Sequence, residues 1–126
     1  MYDRRNMEKA MLTRDAAVKL GSLLKEAKGI DVLVLDITGR NSWADFFIIA
    51  TVTSGTHSRG LQRLVYEECK GLGLDLHPTK RKMPDGDEWL LIDLGPVIVH
   101  LMTPVARSFY DLETLWFGVP DLLATT

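Results

Sequence analysis

Few side chains in this 126-residue chain are spaced to do chemistry together. The three histidines, His57, His77 and His100, share no helical or short-loop spacing that would let two of them hold one metal ion. His100 lies within Val97-Ile-Val-His-Leu-Met102, where strand alternation puts it on the face of Ile98 and Met102. It reads as a hydrogen-bonded, partly buried histidine rather than a ligand. The single cysteine, Cys69, can form no intramolecular disulfide or cysteine cage, and it falls on an apolar helix stripe as a small core residue. Carboxylates paired along a strand would bind Mg²⁺, as in nucleotide transfer. Asp36 and Asp93 stand near strand ends and Asp45 opens a strand, but none makes a strand Asp-x-Asp pair. Asp85-x-Asp87 has that spacing inside a Pro/Gly turn, where solvation is its role. Neither GxxxxGK[ST] nor GxGxxG occurs. Thr53-Ser-Gly-Thr56 precedes a helix N-terminus that could hold an anion, yet simple capping accounts for it. Ser42, Ser54 and Ser58 lie in no nucleophile-elbow sequence. No catalytic residue, metal ligand or cofactor is therefore assigned.

The elements that must position these groups emerge from periodicity. Thr13 is expected to cap a helix carrying Ala16, Ala17, Leu20, Leu23, Leu24 and Ala27, with Gly29 as its stop. Asp31–Ile37 and Asp45–Val52 read as two buried strands, and their short connection makes them antiparallel neighbours. A second helix from about Ser58 presents Leu61, Leu64, Val65, Cys69 and Leu72 inward. Leu74–Arg81 is expected as a weak or edge strand interrupted by Pro78, and Pro84-Asp-Gly-Asp87 as a turn. Trp89–Leu94, Gly95-Pro96 and Val97–Met102 form the clearest hairpin. Thr103 and Pro104 open a last helix with Val105, Phe109, Leu112 and Trp116 on one face, stopped at Gly118-Val-Pro120 and ending in a frayed tail. The order α-β-β-α-β-β-β-α implies one α/β (α+β) domain, a mixed sheet of about five strands packed by helices. Residues 1–12 form an N-terminal extension, 13–117 the domain and 118–126 the tail.

Composition narrows the function classes. With 46% apolar and 25% charged residues and a net charge of -2, the chain is globular rather than disordered. Fifteen basic against 17 acidic residues leave no basic bias, so a primary nucleic-acid surface is not expected. The opening MYDRRNMEKAMLTRD mixes acids with bases and has no apolar signal region, and no apolar run is long enough to span a membrane. A soluble, cytoplasmic protein is expected.

Two features point to a surface. Trp89 begins its strand near a sheet end, and Tyr110 lies one step round from the expected buried stripe, beside Ala106 and Glu113. Large amphipathic rings at such positions suit binding anchors. Lys80-Arg-Lys82 reads as a solvated face protecting a strand edge. An exposed apolar patch would serve a homodimer as well as another partner.

The chain also resembles a family. Asp31-Val-Leu-Val-Leu-Asp36, Ser42-x-x-Asp45-Phe46 and Ile48-Ile-Ala-Thr51 are similar to the ribosomal silencing factor (Iojap-like) family. So are Trp89-Leu-Leu-Ile-Asp-Leu-Gly-x-Val-Ile-Val-His-Leu-Met102 and Arg107-x-x-Tyr110-x-Leu112-Glu113-x-Leu115-Trp116. The match covers roughly residues 13–117. It departs from the family pattern at Ala44, Val52, Thr56-His57, Lys82-Met83 and Pro96. The resemblance implies a nucleotidyltransferase-like fold without the catalytic acids. It also implies binding to the large ribosomal subunit through its fourteenth protein, blocking small-subunit joining and repressing translation, with large-subunit assembly as an organellar role. Trp89 and Tyr110 match the family's aromatic contacts. On this reading Trp89 inserts as anchor, Tyr110 extends the patch, and Asp85, Asp87, Glu88 and Glu113 pair with a basic ribosomal protein. The competing expectation is a metal-dependent nucleotidyl- or phosphoryl-transfer enzyme using Asp36, Asp45 or Asp93.

Overall fold

A computed structural model describes residues 4–42, 44–77 and 88–123. Helix α1 spans Arg4–Glu26, strand β1 Ile30–Asp36, strand β2 Phe46–Thr51 and helix α2 Gly55–Glu68, which runs into a short 3-10 turn at Lys70–Leu72. Strand β3 spans Trp89–Asp93, β4 Val97–Met102, helix α3 Pro104–Tyr110 and helix α4 Leu112–Leu115. The sheet order is β1-β2-β4-β3, with β1 antiparallel to β2, β2 parallel to β4, and β3 antiparallel to β4.

The two central strands are buried along their whole length. Their continuous apolar runs require cover on both faces of the sheet, and two separate clusters provide it. Alternate residues of β2 and β4, namely Phe46, Ile48, Val97 and Val99, pack under α1 and α2 against Leu20, Leu24, Leu61 and Val65. The opposite set, Phe47, Ile49, Ile98 and Met102, packs against Ala106, Leu112 and the half-buried Trp89 and Tyr110. Each fully buried Leu or Ile contributes about 1.5–3 kcal/mol relative to exposure, so the two-faced burial dominates the stability.

The antiparallel pairing of β1 and β2, the β3–β4 hairpin and the inward stripe of α2 stand where the sequence puts them. Other elements differ. Thr13 is not a cap: α1 continues upstream to Arg4 because Arg, Met, Glu, Lys and Ala are all good helix formers. The expected strand at Leu74–Arg81 is represented by one bridge, His77 to Asp93 on the outer edge of β3. Residues 78–81, the Lys80-Arg-Lys82 run and the turn at 84–87 lie outside the described residues. Four strands, not five, form the described sheet.

The last helix is shorter than expected and differently phased. Asp111 takes a left-handed conformation (φ 46°) and divides it into α3 and α4. Leu112 and Trp116 thus fall out of phase with Val105 and Phe109, which are 67% and 79% exposed, while Ala106 is buried. The tail is not frayed through residue 123. It runs along the outer edge of β1, where the Leu122 amide donates to Val34 O (2.8 Å) and the Asp36 amide to Pro120 O (3.1 Å). Leu122 enters the core, so the segment covers an edge that would otherwise present unpaired backbone groups.

The stop after α1 also differs from its sequence reading. Lys28, not Gly29, adopts positive φ (74°). The Lys28 amide donates to Lys25 O (3.1 Å) and the Gly29 amide to Leu24 O (2.8 Å), satisfying two terminal carbonyls. Glycine is needed at 29 for close approach: a Cβ there would lie 2.8 Å from the Leu24 carbonyl oxygen. Lys28→Gly is expected to stabilise the protein by about 0.5–1 kcal/mol. Gly29→Ala should destabilise it by about 1–3 kcal/mol, since backbone rather than a side-chain tip must yield. Urea unfolding of both variants checks the pair.

Candidate docking face

β3 and α3 bring together residues that are 21 positions apart in sequence. Trp89, at the start of β3, lies with its ring centroid 4.7 Å from that of Tyr110, the last residue of α3. Phe109 meets Tyr110 edge to face at 5.0 Å. Below this pair, Trp89 Nε1 donates to His100 Nδ1 (3.1 Å), and His100 stands edge to face with Phe47 at 4.7 Å. Phe47 in turn meets Trp116 at 5.5 Å. A continuous group of rings therefore runs from the centre of the sheet to solvent, ending on Phe109.

The helix carrying two of these rings is positioned by local and distant contacts. Thr103 Oγ1 accepts the Ala106 amide (3.2 Å) and Pro104 occupies the first turn, as the sequence indicates. Arg107 then fixes the helix to the sheet. Its guanidinium donates to Thr51 Oγ1 at the end of β2 (2.8 Å), to the Ile30 carbonyl at the start of β1 (3.4 Å) and to Glu113 Oε1 (3.2 Å). The Arg107 side chain is only 12% exposed. Glu113, expected on the contact surface, pairs with Arg107 while its own side chain stays 37% exposed.

Of the residues singled out from sequence, Trp89 and Tyr110 come together, and both are half-buried on the second core cluster rather than freely exposed. Phe109, expected inside, is the exposed ring. The sequence carries no separate signal for Arg107's bonds, whose partners on β2 and β1 are 56 and 77 residues away. His100 agrees with its sequence reading in face and hydrogen bonding, and is buried more completely than expected.

Two acids of the enzyme reading, Asp36 and Asp93, do not converge. Asp36 pairs with Phe46 and shares its face, toward α1 and α2, whereas Asp93 pairs with Ile98 and faces the other cluster. They also occupy opposite edge strands, about 14 Å apart at the strand spacing. One cation needs oxygens within about 2.6 Å, so this pair cannot share it. Asp36 Oδ1 instead accepts the Thr38 amide (3.1 Å) and Asp93 Oδ1 the Gly95 amide (2.8 Å), both as turn caps. No group of three or more His, Cys, Asp or Glu placed to hold a metal occurs among the described residues. The loop before α2 is likewise a cap: Ser54 Oγ accepts the His57 amide at 3.0 Å. Among the described residues, no helix is long and apolar enough to cross a membrane.

The chain is a small α+β domain whose mixed sheet is covered on both faces, with an aromatic group reaching solvent beside β3 and α3. Comparison with known proteins names the family. The family described as ribosomal silencing factor during starvation matches residues 11–124. The ribosomal silencing factor RsfS of Treponema pallidum is 40% identical over 107 residues, covering 84% of this chain and 94% of that protein. The mouse protein named mitochondrial assembly of ribosomal large subunit protein 1 is 33% identical over 98 residues, 77% of this chain and 43% of its own length. A crystal structure of a Chromobacterium violaceum protein superimposes with a TM-score of 0.69 at 31% identity, covering 86% of each chain. This chain belongs to the ribosomal silencing factor family.

Two measurements test how the site is held. Arg107→Met leaves Thr51 and Glu113 without their shared donor and should cost about 1.5–3 kcal/mol in urea unfolding, with Glu113→Gln costing less. Burial lowers the His100 pKa from 6.5 to about 3. The neutral ring is the folded form, so its contribution is complete above pH 6.5 and is lost as pH falls from 6.5 toward 3. The loss of stability between about pH 7 and about pH 5 should therefore be smaller in His100→Asn than in wild type.

Proposed function

We propose that this protein binds the large ribosomal subunit, through its fourteenth protein, by the face that Trp89, Tyr110 and Phe109 form. Bound there, it blocks association with the small subunit and so represses translation. The action is steric: no bond is made or broken, and no cofactor takes part. Family membership supports the ribosomal setting, and the name of the mouse relative supports the large subunit as the partner. Its place of action is then wherever ribosomes are, the cytoplasm.

The observation that carries the reading is the ring group that leaves the core beside β3 and α3. Rings packed from behind lose little conformational freedom on binding, which favours them as anchors. Val105, one turn before Phe109 on α3, widens the apolar area. Glu113 supports this face through Arg107, and Glu88 stands beside Trp89 in sequence as an acid available to a basic partner.

Co-sedimentation with purified large subunits, small subunits and joined ribosomes tests the function. The protein should travel with large subunits alone and reduce the joined fraction on re-association. Trp89→Ala should weaken that binding at least thirtyfold, about 2 kcal/mol for a central aromatic anchor. A folded Trp89→Ala variant that binds as tightly as wild type would sink the assignment of this face.

A further inference from the structure

His100 is a costly residue where it stands. It is 3% exposed in the middle of a central strand, and the residues beside it on the same face, Ile98 and Met102, are apolar. Its Nε2 is buried with no hydrogen-bond partner among the described residues. A leucine at this position would avoid the desolvation of two ring nitrogens, so the histidine must return something through its one polar contact. That contact is the Trp89 indole (3.1 Å).

We propose that His100 is the positioning residue of the docking face: its neutral ring, accepting at Nδ1 and protonated at Nε2, fixes the orientation in which Trp89 packs at a tilt against Tyr110. The tautomer is set by the donor it meets. An indole N–H can only donate, so Nδ1 must carry the lone pair and the ring proton must sit on Nε2. Trp89 needs such a tether because it begins an edge strand and is only half-buried. An untethered indole at that rim has alternative rotamers in which its N–H meets water and its ring leaves Tyr110. His100 has no such freedom, since its neighbours on β2 and β3 and the Phe47 ring enclose it. The diagonal placement of Trp89 across the β3–β4 ladder from His100 brings the acceptor within reach of the indole. Trp89 is thereby given one direction by a residue that never reaches the surface.

This inference rests on Trp89 as docking anchor, and its test separates the two. In the wild-type protein, long-range ¹⁵N–¹H spectra at neutral pH should show His100 protonated at Nε2 and bare at Nδ1. The opposite tautomer overturns the proposal whatever any variant does. The Trp89 indole N–H signal, identified by its absence in Trp89→Phe, should shift in His100→Leu. It should stay near its wild-type place in His100→Asn, whose amide oxygen can replace Nδ1. Binding to large subunits should fall roughly tenfold in His100→Leu, the size of one hydrogen bond, and recover in His100→Asn. In a Trp89→Phe background His100→Leu should change binding little, because the partner of the bond is already gone. An equal loss in both backgrounds would mean that His100 only supports the fold. An unmoved indole signal in His100→Leu would also overturn the proposal. If wild-type protein fails to bind large subunits, the docking reading falls while the spectra still decide whether His100 holds Trp89.

Discussion

The parallel pairing of β2 with β4 governs the rest of this molecule. Both strands are buried along their length, so each side of the sheet must be covered by separate apolar layers. Parallel neighbours cannot be joined by a tight turn, and the crossover through α2 and β3 supplies one cover as a consequence. α1 completes that side. The other side is left to α3 and α4, beyond β4 in the chain, while the segment along β1 adds Leu122 to the first side. The second cover is thin, made of two short helices and large rings, and some of those rings therefore reach solvent. The proposed docking face is the outer surface of this layer.

Charge is used sparingly in holding that layer. Arg107 reaches from α3 to the ends of β1 and β2 and is answered by Glu113 from α4. A guanidinium with planar, divergent donors can join three elements at once, which an ammonium group does less well. The ion pair matters for geometry more than for net stability, because a partly exposed pair contributes little by itself. The break at Asp111 makes the clamp necessary. Without it, a seven-residue helix and a four-residue helix would have only Ala106, Leu112 and the rings to hold them.

The aromatic group and the buried histidine form one mechanical unit. Phe47 and His100 are rooted in the central strands, Trp89 in the edge strand and Tyr110 in the covering helix. Burial keeps His100 neutral, and a neutral ring offers the acceptor that an indole requires; a charged one would present a second donor to it. The divergence of the acids belongs to the same picture. Asp36 and Asp93 lie at edge strands on opposite faces and cap their own turns, so the sheet does not bring this pair together.

Much of this is legible in the sequence because it is local. Thr103 and Pro104 start a helix within a few residues, Ser54 caps α2, and the apolar runs of β1, β2, β3 and β4 declare strands at nearly their observed limits, though only β2 and β4 are buried throughout. The family resemblance is carried by such segments. Tertiary structure alone decides the rest. The left-handed Asp111 interrupts the helical period on which Val105, Phe109, Leu112 and Trp116 would otherwise share a face. The segment at 119–123 has the composition of a loose end, yet β1's open edge gives its backbone partners. Glu113 has the sequence setting of a surface acid, and only folding brings Arg107 to it and to Thr51. Trp89 and Tyr110 are each recognisable as large rings, but their contact, and the histidine beneath them, depend on β3, β4 and α3 meeting. Sequence spacing determines contacts made within a turn or a strand; those made between elements arise only when burial of both sheet faces brings distant residues together.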